Sequence, residues 1–448
     1  MIGLNEELRE RHAAGNPVRI GLIGAGQMGT DVVAEVSMML GVEVVVTADV
    51  DLERARKAYE IGQVKAEVVV AQTAEEADAA VRAGKVVAAT DYHVVTQMKT
   101  VQVMLEATGV PEIGTRAALL SARSGQHLSM MNVETDITVG PVLRWYAERK
   151  GVLYALAAGD EPAACKELYD FAEALGFTIV AAGKGKNNPL DRHATPVDPV
   201  IAKEAARRGL SPNMLVEFVD GSKTMIEMAA VANATGLVPD VRGMHGPDTD
   251  RDHLSETFRL KEEGGVLNKM GVVDYGIGRV APGVFLVIRT DHPRLREAMV
   301  LRDMGNGPYY TLFRPYHLCS IEVPLTCAML EIRKKPNMVP LNRLAAEVFA
   351  VAKHDLKPGD VLDAIGGTAY YSLVDTYETA RAERLLPIGL AKGARVIRDI
   401  PVDQPITLDD VELKPSTVLE LRKLQDQWFA GKVSDDELEK AIDGLALE

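Results

Sequence analysis

Cysteine is scarce in this 448-residue chain, which contains only Cys165, Cys319 and Cys327. Three cysteines are too few for a disulfide framework, and their spacing does not match that of a zinc site. The chain also lacks a run of 18 apolar residues, which argues against a membrane-spanning helix. Its first segment, MIGLNEELRERHAAGNP, carries charges where a signal peptide needs an apolar centre. We therefore expect a cytoplasmic protein that does not associate with a membrane.

Aromatic residues and net positive charge are also lacking. Aromatic side chains make up 5% of the chain, and the formal net charge is −14. Nucleic-acid binding needs a basic face for the phosphates, and single strands are often held on aromatic platforms, so no nucleic-acid partner is expected. A small anionic substrate is compatible with this composition, because a local basic pocket can lie in an acidic protein.

In the first third of the chain, apolar strand patterns alternate with helical patterns. VRIGLIG at 18–24 and VEVVVTAD at 42–49 have the pattern of strands, and each is followed by a helical segment. Strands and helices in this alternation build a parallel sheet that is covered on both faces. After Gly159 the pattern becomes mixed and includes a polar, irregular stretch at 184–198.

Short strand patterns broken by Pro-Gly, Lys-Gly and Asp turns fill most of the C-terminal region. The stretches LKPGDVL and LAKGARVIRDIPVDQPIT resemble a SAF-type β-clip module. We therefore predict an α/β protein with a Rossmann domain over 1–158 and an α+β catalytic domain over 159–339. The remaining region, 340–448, is predicted to contain a returning helix, the SAF-like β-clip and a helical tail.

The sequence GAGQMG directly follows the first predicted strand and opens a helix. In this G-x-G-x-x-G pattern, Gly24 permits a tight turn, Gly26 lets the backbone approach a pyrophosphate, and Gly29 allows close packing of helix on strand. Together with Gln27 and Met28, these residues place backbone amides at a helix N-terminus, where a phosphate binds favourably. The strand–glycine–helix context predicts a dinucleotide site.

Asp49 ends the second predicted strand, where an acidic residue usually accepts hydrogen bonds from the ribose hydroxyls of NAD. Arg54 and Arg56 follow it and are alternative contacts for the 2′-phosphate of NADP, so the residues alone leave the choice of cofactor open. The other predicted cofactor-binding residues follow later strands, at the carboxyl edge where open parallel sheets bind their ligands. They are Thr108, Gly109 and Asn132.

The segment GKGKNNPLDRHATP at 183–196 concentrates positive charge beside amide and histidine groups in an acidic protein. Such a mixture suits a phosphate or carboxylate of a substrate, whereas a merely solvated loop would not require it. The predicted substrate-binding residues of this segment are Lys184, Lys186, Asn187, Arg192 and His193. Asn213, His245 and Arg314, in later segments, complete the predicted set.

A helical pattern over 216–236 carries Asp220, Lys223 and Glu227. Lys223 and Glu227 are four residues apart, so an ordinary surface ion pair is one interpretation. The alternative is a catalytic group that holds substrate hydroxyls, binds a metal ion or transfers a proton. Glu134, which follows a predicted strand, is a further catalytic candidate, although an acidic residue there also complements a helix dipole.

Several stretches together resemble the homoserine dehydrogenase-like oxidoreductases with a C-terminal SAF domain. They are GAGQMG, HLSMMNVETDITVGP, AAGDEP, GKGKNNPLDRHATP, FVDGSKTMIEMAA, GMHGP and GPYYTLFRPYHLCSIEVP. Within that group, the chain is similar to the bacterial 1-deoxy-D-xylulose 5-phosphate reductoisomerase-like enzymes. Near the predicted nicotinamide site it has Met131-Asn132-Val133 where homoserine dehydrogenases usually have an Asn-Lys pair, so homoserine oxidation is not expected.

The resemblance implies an NADPH-dependent isomerisation and reduction of 1-deoxy-D-xylulose 5-phosphate to 2-C-methyl-D-erythritol 4-phosphate, in the methylerythritol phosphate pathway of isoprenoid biosynthesis. It also implies a divalent cation, Mg²⁺ or Mn²⁺, and a homodimer. Two other hypotheses stay open at this point. One is a homoserine dehydrogenase-like dehydrogenase of another sugar phosphate or hydroxy acid, and the other is a non-catalytic dinucleotide sensor.

Overall fold

The computed structural model describes residues 3–447, which form two compact units. The first unit contains the chain up to Ala163, together with Leu318–Asn342 and the segment from Ser416 onward. The second contains Ala164–His317 and Arg343–Pro415. The helical tail, which the prediction grouped with the β-clip, therefore lies in the same unit as the first strands.

Strands and helices follow one another along the chain largely as the sequence pattern indicates. The strands are β1 (Val18–Ile23), β2 (Val42–Ala48), β3 (Val68–Val70), β4 (Val86–Ala89), β5 (Val103–Glu106), β6 (His127–Met130), β7 (Tyr154–Leu156), β8 (Thr178–Lys186), β9 (Val238–Pro239), β10 (Val272–Ile277), β11 (Val284–Arg289), β12 (Tyr309–Arg314), β13 (Ala346–Ala352), β14 (Tyr370–Thr376), β15 (Arg395–Val396) and β16 (Val411–Glu412).

The α-helices are α1 (Leu4–Ala13), α2 (Gln27–Met38), α3 (Leu52–Ile61), α4 (Ala74–Arg82), α5 (Tyr92–Gln97), α6 (Pro111–Arg123), α7 (Val133–Arg149), α8 (Glu161–Ala174), α9 (Pro199–Arg208), α10 (Pro212–Val219), α11 (Ser222–Thr235), α12 (Leu254–Thr257), α13 (Pro293–Val300), α14 (Val323–Ala328), α15 (Tyr377–Ala382), α16 (Ile388–Ala391), α17 (Thr417–Phe429) and α18 (Asp435–Asp443). Short 3-10 turns occur at Lys261–Glu263 and Cys319–Ile321, and a π-helical turn at Met329–Arg333.

The sheet of the first unit has the strand order β3-β4-β2-β1-β5-β6-β7, and every pairing in it is parallel. β1 is almost wholly buried, because VRIGLI is apolar on both of its faces and helices cover the sheet. The chain runs outward from β1 to β2 on one side and continues from β5 on the other. The β1–β5 boundary is therefore the topological switch point, where such sheets bind their ligands. This topology confirms the predicted Rossmann-type domain.

The sheet of the second unit has the order β12-β11-β8-β10-β9. β8 lies at its centre, parallel to β10 and antiparallel to β11. Helix α11 packs on β8 and β10 and also contacts β13 and β14. It is buried along nearly its whole length, which places the polar side chains it carries inside the unit. The mixed α+β character predicted for the middle of the chain is confirmed.

The predicted returning helix near 340–353 was wrong. Residues Ala346–Ala352 form strand β13, which pairs in antiparallel register with β14. Val348, Phe349 and Val351 are buried in this hairpin and favour a strand, because branched and aromatic side chains pack well on a pleated surface. A continuous apolar run of seven residues fits either type of element when it is read alone.

The helical tail packs against the first unit through α17, which contacts α6 and α7. The rings of Trp145 and Trp428 lie 5.6 Å apart between centroids. The carboxylate of Glu112 accepts the backbone amides of Thr417 and Val418 at 3.0 and 2.9 Å, which satisfies the first turn of α17. Over residues 3–447, no helix is both long and apolar enough to cross a lipid bilayer.

Candidate functional site

The glycine loop between β1 and α2 is shaped by two glycines that pack and one that faces open space. Gly24 has a φ of 99°, and a Cβ there would lie 2.8 Å from the backbone of Ala107. A Cβ on Gly29 would lie 2.0 Å from the carbonyl oxygen of Gly24. A Cβ on Gly26 would meet nothing within 4 Å. Gly24 and Gly29 are thus needed for the fold, and Gly26 leaves room for a close approach to the backbone.

The N-terminus of α2 fits a dinucleotide phosphate. Gly26 is its N-cap and provides no side chain to occupy the amides of the first turn, to which Gln27 and Met28 belong. Both oxygens of Asp49 brace the loop, accepting from the amides of Ala25 at 2.8 Å and Asp51 at 3.0 Å. The loop thus leaves backbone amides available for a phosphate, and the assignment of these residues to a cofactor stays a prediction.

The two arginines considered for a 2′-phosphate lie on the exposed face of α3. Arg54 lies 3.5 Å from the carboxylate of Asp51, and Arg56 lies 3.7 Å from that of Glu53. Exposed pairs at such distances contribute little to stability, so either guanidinium can exchange its partner for a phosphate. Their position just after Asp49 agrees with the prediction, and the choice between NAD and NADP stays open on this geometry.

The carboxyl end of β5 carries a residue that the sequence analysis missed, Glu106. It is fully buried, and it accepts hydrogen bonds from the amide of Thr108 at 2.9 Å and from the Thr108 hydroxyl. Burial raises the pKa of Glu106 to about 7, although hydrogen bonds from Thr108 and Asn132 oppose the rise. Its signal in the sequence was a lone carboxylate ending a buried strand pattern, beside the predicted Thr108 and Gly109.

Asn132 caps α7, accepting from the amide of Thr135 at 3.0 Å. Gly114 packs against this group. A Cβ there would lie 2.5 Å from Thr135 Oγ1, 3.0 Å from Asn132 Nδ2 and 3.2 Å from Glu106 Oε2. Three polar side chains therefore meet at the ends of β5 and β6, on the predicted ligand-binding edge of the sheet.

Helix α7 buries two carboxylates in its first turn. Glu134, predicted as catalytic, is one of them, and its charge adds to the rise in the pKa of Glu106. The other is Asp136, which accepts a hydrogen bond from the Tyr154 hydroxyl at 2.8 Å. Burial raises the pKa of Asp136 to about 7, so this helix start is less negative at neutral pH than its sequence suggests.

In the second unit, β8 and α11 bring together the lysines and carboxylates that the sequence analysis selected. Lys184 contacts the carboxylate of Glu227 directly, and both side chains are buried. Lys223 lies 3.8 Å from the other oxygen of Glu227 and is 19% exposed. Glu227 is therefore shared by two lysines from different segments. We call Lys184, Lys186, Lys223 and Glu227 the lysine cluster.

Lys186 follows Lys184 by two residues and lies on the same face of β8. Its ammonium donates to the backbone carbonyl of Phe218 near the end of α10. Burial, together with the charge of Lys184, lowers the pKa of Lys186 to about 8, and the charge of Asp220 opposes both effects. At neutral pH most of this lysine is therefore still protonated, so its positive charge is available to an anionic group.

Asp220, predicted as catalytic, occupies a structural position between α10 and α11. Its carboxylate lies 2.9 Å from the ammonium of Lys353 and accepts the amide of Ser222 at 2.8 Å. Burial raises the pKa of Asp220, and the charge of Lys353 opposes that rise. No sequence pattern indicated Lys353 as a partner, because it lies in a different predicted domain.

The remaining residues of the predicted substrate segment have other partners. Arg192 stacks over the ring of Tyr371 at 5.7 Å, and His193 lies 2.8 Å from Asp403, so both face the SAF-like region and are exposed. Asn187 is exposed. Thus the two lysines of this segment are buried, whereas its arginine and histidine are exposed and contact other residues than the lysines do.

The three later candidates are held in separate networks. Asn213 donates to the carbonyl of Gly366 at 3.2 Å. Arg314, at the end of the edge strand β12, pairs with Glu167 of α8 at 3.1 Å. His245 Nε2 lies 2.8 Å from Asp240. The His245 amide donates a hydrogen bond to the carboxylate of Asp274. Burial raises the pKa of Asp274 to about 6.

Comparison with known families shows what the middle and the C-terminal part of the chain resemble. Residues 159–323 match a family model described as the catalytic domain of the oxidoreductase DRL. The middle of the chain is of an oxidoreductase type. Residues 347–412 match the SAF domain, which confirms the predicted β-clip and begins at β13. A search of the curated proteins finds no match. The reductoisomerase specificity and the divalent cation stay predictions.

Among solved structures, the chain resembles several dehydrogenases and reductases only remotely. A myo-inositol dehydrogenase from Corynebacterium glutamicum is 11% identical, with a TM-score of 0.36, over 70% of this chain and 88% of that one. A 3-ketoreductase from Actinomadura kijaniata in complex with TDP-benzene and NADP is 12% identical, with a TM-score of 0.33, over 72% and 91%. A scyllo-inositol dehydrogenase from Lactobacillus casei is 10% identical, with a TM-score of 0.32, over 61% and 73%. Likeness at this level indicates nothing about substrate.

Proposed function

We propose that this protein is an NADPH-dependent oxidoreductase that rearranges and reduces 1-deoxy-D-xylulose 5-phosphate to 2-C-methyl-D-erythritol 4-phosphate. The observation that carries the proposal is the lysine cluster, in which Glu227 lies between Lys184 and Lys223. A phosphorylated sugar needs cationic groups for its phosphate and a proton-transferring group for its hydroxyls. The match of this region to an oxidoreductase catalytic domain supports the same reaction class.

Within the cluster, the four residues suit different tasks. Lys184 and Lys186 provide positive charge on one face of β8, which suits a phosphate or a polarised carbonyl oxygen. Lys223 is more exposed than Lys184, and we assign to it the proton transfer to and from the substrate hydroxyl. Glu227 orients both partners and balances their charge. A bound nicotinamide supplies the hydride that reduces the aldehyde formed by the rearrangement.

A substrate panel tests the proposal. Consumption of NADPH is followed with 1-deoxy-D-xylulose 5-phosphate, its unphosphorylated analogue, other sugar phosphates and simple hydroxy acids, and products are identified by mass spectrometry. The expected result is turnover of 1-deoxy-D-xylulose 5-phosphate to the branched polyol phosphate. Turnover of another substrate without change of carbon skeleton would instead indicate a dehydrogenase. NADPH binding without any turnover would indicate a sensor.

Two lysine variants separate phosphate binding from proton transfer. Lys186→Ala should lower kcat/KM for the phosphorylated substrate about tenfold to a hundredfold, as expected for loss of a charge-assisted contact worth about 1.5–3 kcal/mol. It should leave the unphosphorylated analogue nearly unchanged. Lys223→Ala should lower kcat for both substrates. Equal losses for both substrates in the Lys186 variant would remove its phosphate-binding role.

A further inference from the structure

Lys353, which follows β13 in the region matched to the SAF domain, is buried in the second unit, where its ammonium contacts two carbonyl groups and a carboxylate. Its ammonium donates to the carbonyl oxygens of Ala194 at 2.7 Å and Gly367 at 2.9 Å, and it lies 2.9 Å from the carboxylate of Asp220. The side chains of Lys353 and Asp220 are 1% and 0% exposed. The ammonium therefore makes two hydrogen bonds and one ion pair, which together compensate for the burial of its charge.

Asp220 is the C-cap of α10 and lies two residues before the start of α11. Its carboxylate accepts the amide of Ser222, the first residue of the helix, and Ser222 Oγ in turn accepts the amide of Ser372 in β14 at 3.0 Å. At the other end of α11, Asn233 Oδ1 accepts the amides of Ala345 and Ala346 at 2.8 and 2.9 Å. Both ends of α11 are therefore hydrogen-bonded to residues of the β13–β14 region.

These contacts fix the helix in a way that apolar packing alone would not. A buried ion pair gains little net stability over a well-packed apolar pair, because both charges lose their hydration. What it adds is a defined position, since each polar atom finds its partners in one arrangement only. Lys223 lies in the first turn of α11, shortly after Asp220, and Glu227 lies one turn further along the helix. A rotation or shift of this helix moves both of them.

We propose that Lys353 is a positioning residue, through which the SAF domain fixes α11 and so holds Lys223 and Glu227 against Lys184. The SAF region of this chain then serves as part of the catalytic framework. The inference rests on the proposed function for the catalytic use of Lys223. The placement of α11 itself can be measured without any substrate.

The experiment compares Asp220→Asn/Lys353→Met, which removes both buried charges together, with Lys357→Met. Lys357 is also a SAF-region lysine paired with an aspartate, Asp399 at 3.2 Å, but both of those side chains are exposed. Ser222→Ala is a milder variant that removes the hydroxyl which accepts the amide of Ser372 and also hydrogen-bonds Asp220, and it leaves both buried charges in place. For each full-length protein, folding is checked by circular dichroism, dinucleotide affinity by fluorescence, and the rate of Lys223 acetylation by mass spectrometry of its peptide.

In the double variant we expect kcat to fall roughly a hundredfold, the loss typical of a misplacement of about 1 Å, while KM and dinucleotide affinity stay within about twofold. Lys223 acetylation should change at least about threefold, and Ser222→Ala should show the same pattern at smaller size. Lys357→Met should match the wild type in every measurement. A folded double variant with wild-type kcat would overturn this inference and leave the proposed function intact. If the wild type turns over no substrate, the proposed function fails, and an unchanged acetylation rate would then overturn the inference separately.

Discussion

The glycine loop of the first unit and the lysine cluster of the second differ in how far along the chain their contacts reach. The loop connects β1 to α2, and its polar contact from Asp49 to Ala25 spans 24 residues, although Gly24 also packs against the backbone of Ala107. In the cluster, Lys184 and Glu227 are 43 residues apart and lie on different element types. The loop acts through backbone amides and is fixed by local geometry, whereas the cluster acts through side-chain charges and depends on the packing of α11.

Glu227→Gln should have the largest effect on stability, because it breaks a buried ionic contact. The variant removes the carboxylate that Lys184 and Lys223 share inside the second unit. Removing one partner of a buried pair typically costs about 3–5 kcal/mol. Urea unfolding should therefore show a free energy of unfolding lower by about that amount.

Glu204→Gln is the matched control, since Glu204 is also shared by two cations, Arg207 and Arg208, on the exposed surface of α9. Exposed pairs contribute little, so its unfolding curve should overlay that of the wild type. Equal losses in the two glutamate variants would mean that burial of the lysine cluster is unimportant. The distinction between the two regions would then lose its energetic basis.

The same contrast explains what the sequence could predict. The role of Gly24 in the turn and of Gly29 in packing followed from a six-residue pattern, because the positive φ of Gly24 and the contact of Gly29 with Gly24 are local. Lys184 and Glu227 were selected from separate segments, but their direct contact depends on how α11 packs on β8. Asp220 was selected as catalytic, and its partner Lys353 had no signal, because tertiary packing alone brings them together. The strand at Ala346–Ala352 was missed for the same reason, since its pairing with β14 decides between helix and strand.

Glu106 tests whether burial of a carboxylate also makes the stability of the first unit depend on pH. Its pKa is raised by burial from 4.5 to about 7. A folded-state pKa above the unfolded value contributes stability that is fully present below pH 4.5 and is lost as the pH rises to about 7. Relative to Glu106→Gln, the wild type should therefore lose about 3 kcal/mol of unfolding free energy across this range.

Urea unfolding of both proteins at several pH values measures that difference. The contributions of the other titrating groups cancel, because both proteins contain them. Glu43→Gln, at an exposed position of β2, is the matched control for a glutamate of the same sheet. A difference between wild type and Glu106→Gln that stays constant between pH 4.5 and 7 would contradict the buried-acid interpretation.

Gly26→Val separates binding from folding within the glycine loop. A Cβ at Gly26 meets no protein atom within 4 Å, so the branched side chain should leave the unfolding curve unchanged. It should weaken NADPH binding at least about a hundredfold, or about 2.7 kcal/mol, because it occupies the path of the pyrophosphate. Gly29→Val is the opposite case, since its Cβ would lie 2.0 Å from Gly24 O and should destabilise the fold. NADPH binding at wild-type affinity by Gly26→Val would mean that the site is misassigned.

The smallest effect is expected for a variant of Arg54, the residue that we expect to contact the 2′-phosphate and so to favour NADPH over NADH. Arg54 is held only loosely by Asp51, at 3.5 Å, and lies in the first turn of α3, shortly after Asp49. We predict that NADPH is preferred over NADH and that Arg54→Ala weakens NADPH binding roughly tenfold, or about 1.4 kcal/mol, while NADH binding is unchanged. Fluorescence titration with both cofactors measures this, and Arg56→Ala is the comparison on the same helix. A loss confined to Arg56→Ala would assign the phosphate contact to Arg56. A wild type that prefers NADH would contradict this prediction. Asp49 would then be assigned to the ribose hydroxyls of NAD, because its carboxylate accepts hydrogen bonds from hydroxyls but repels a phosphate.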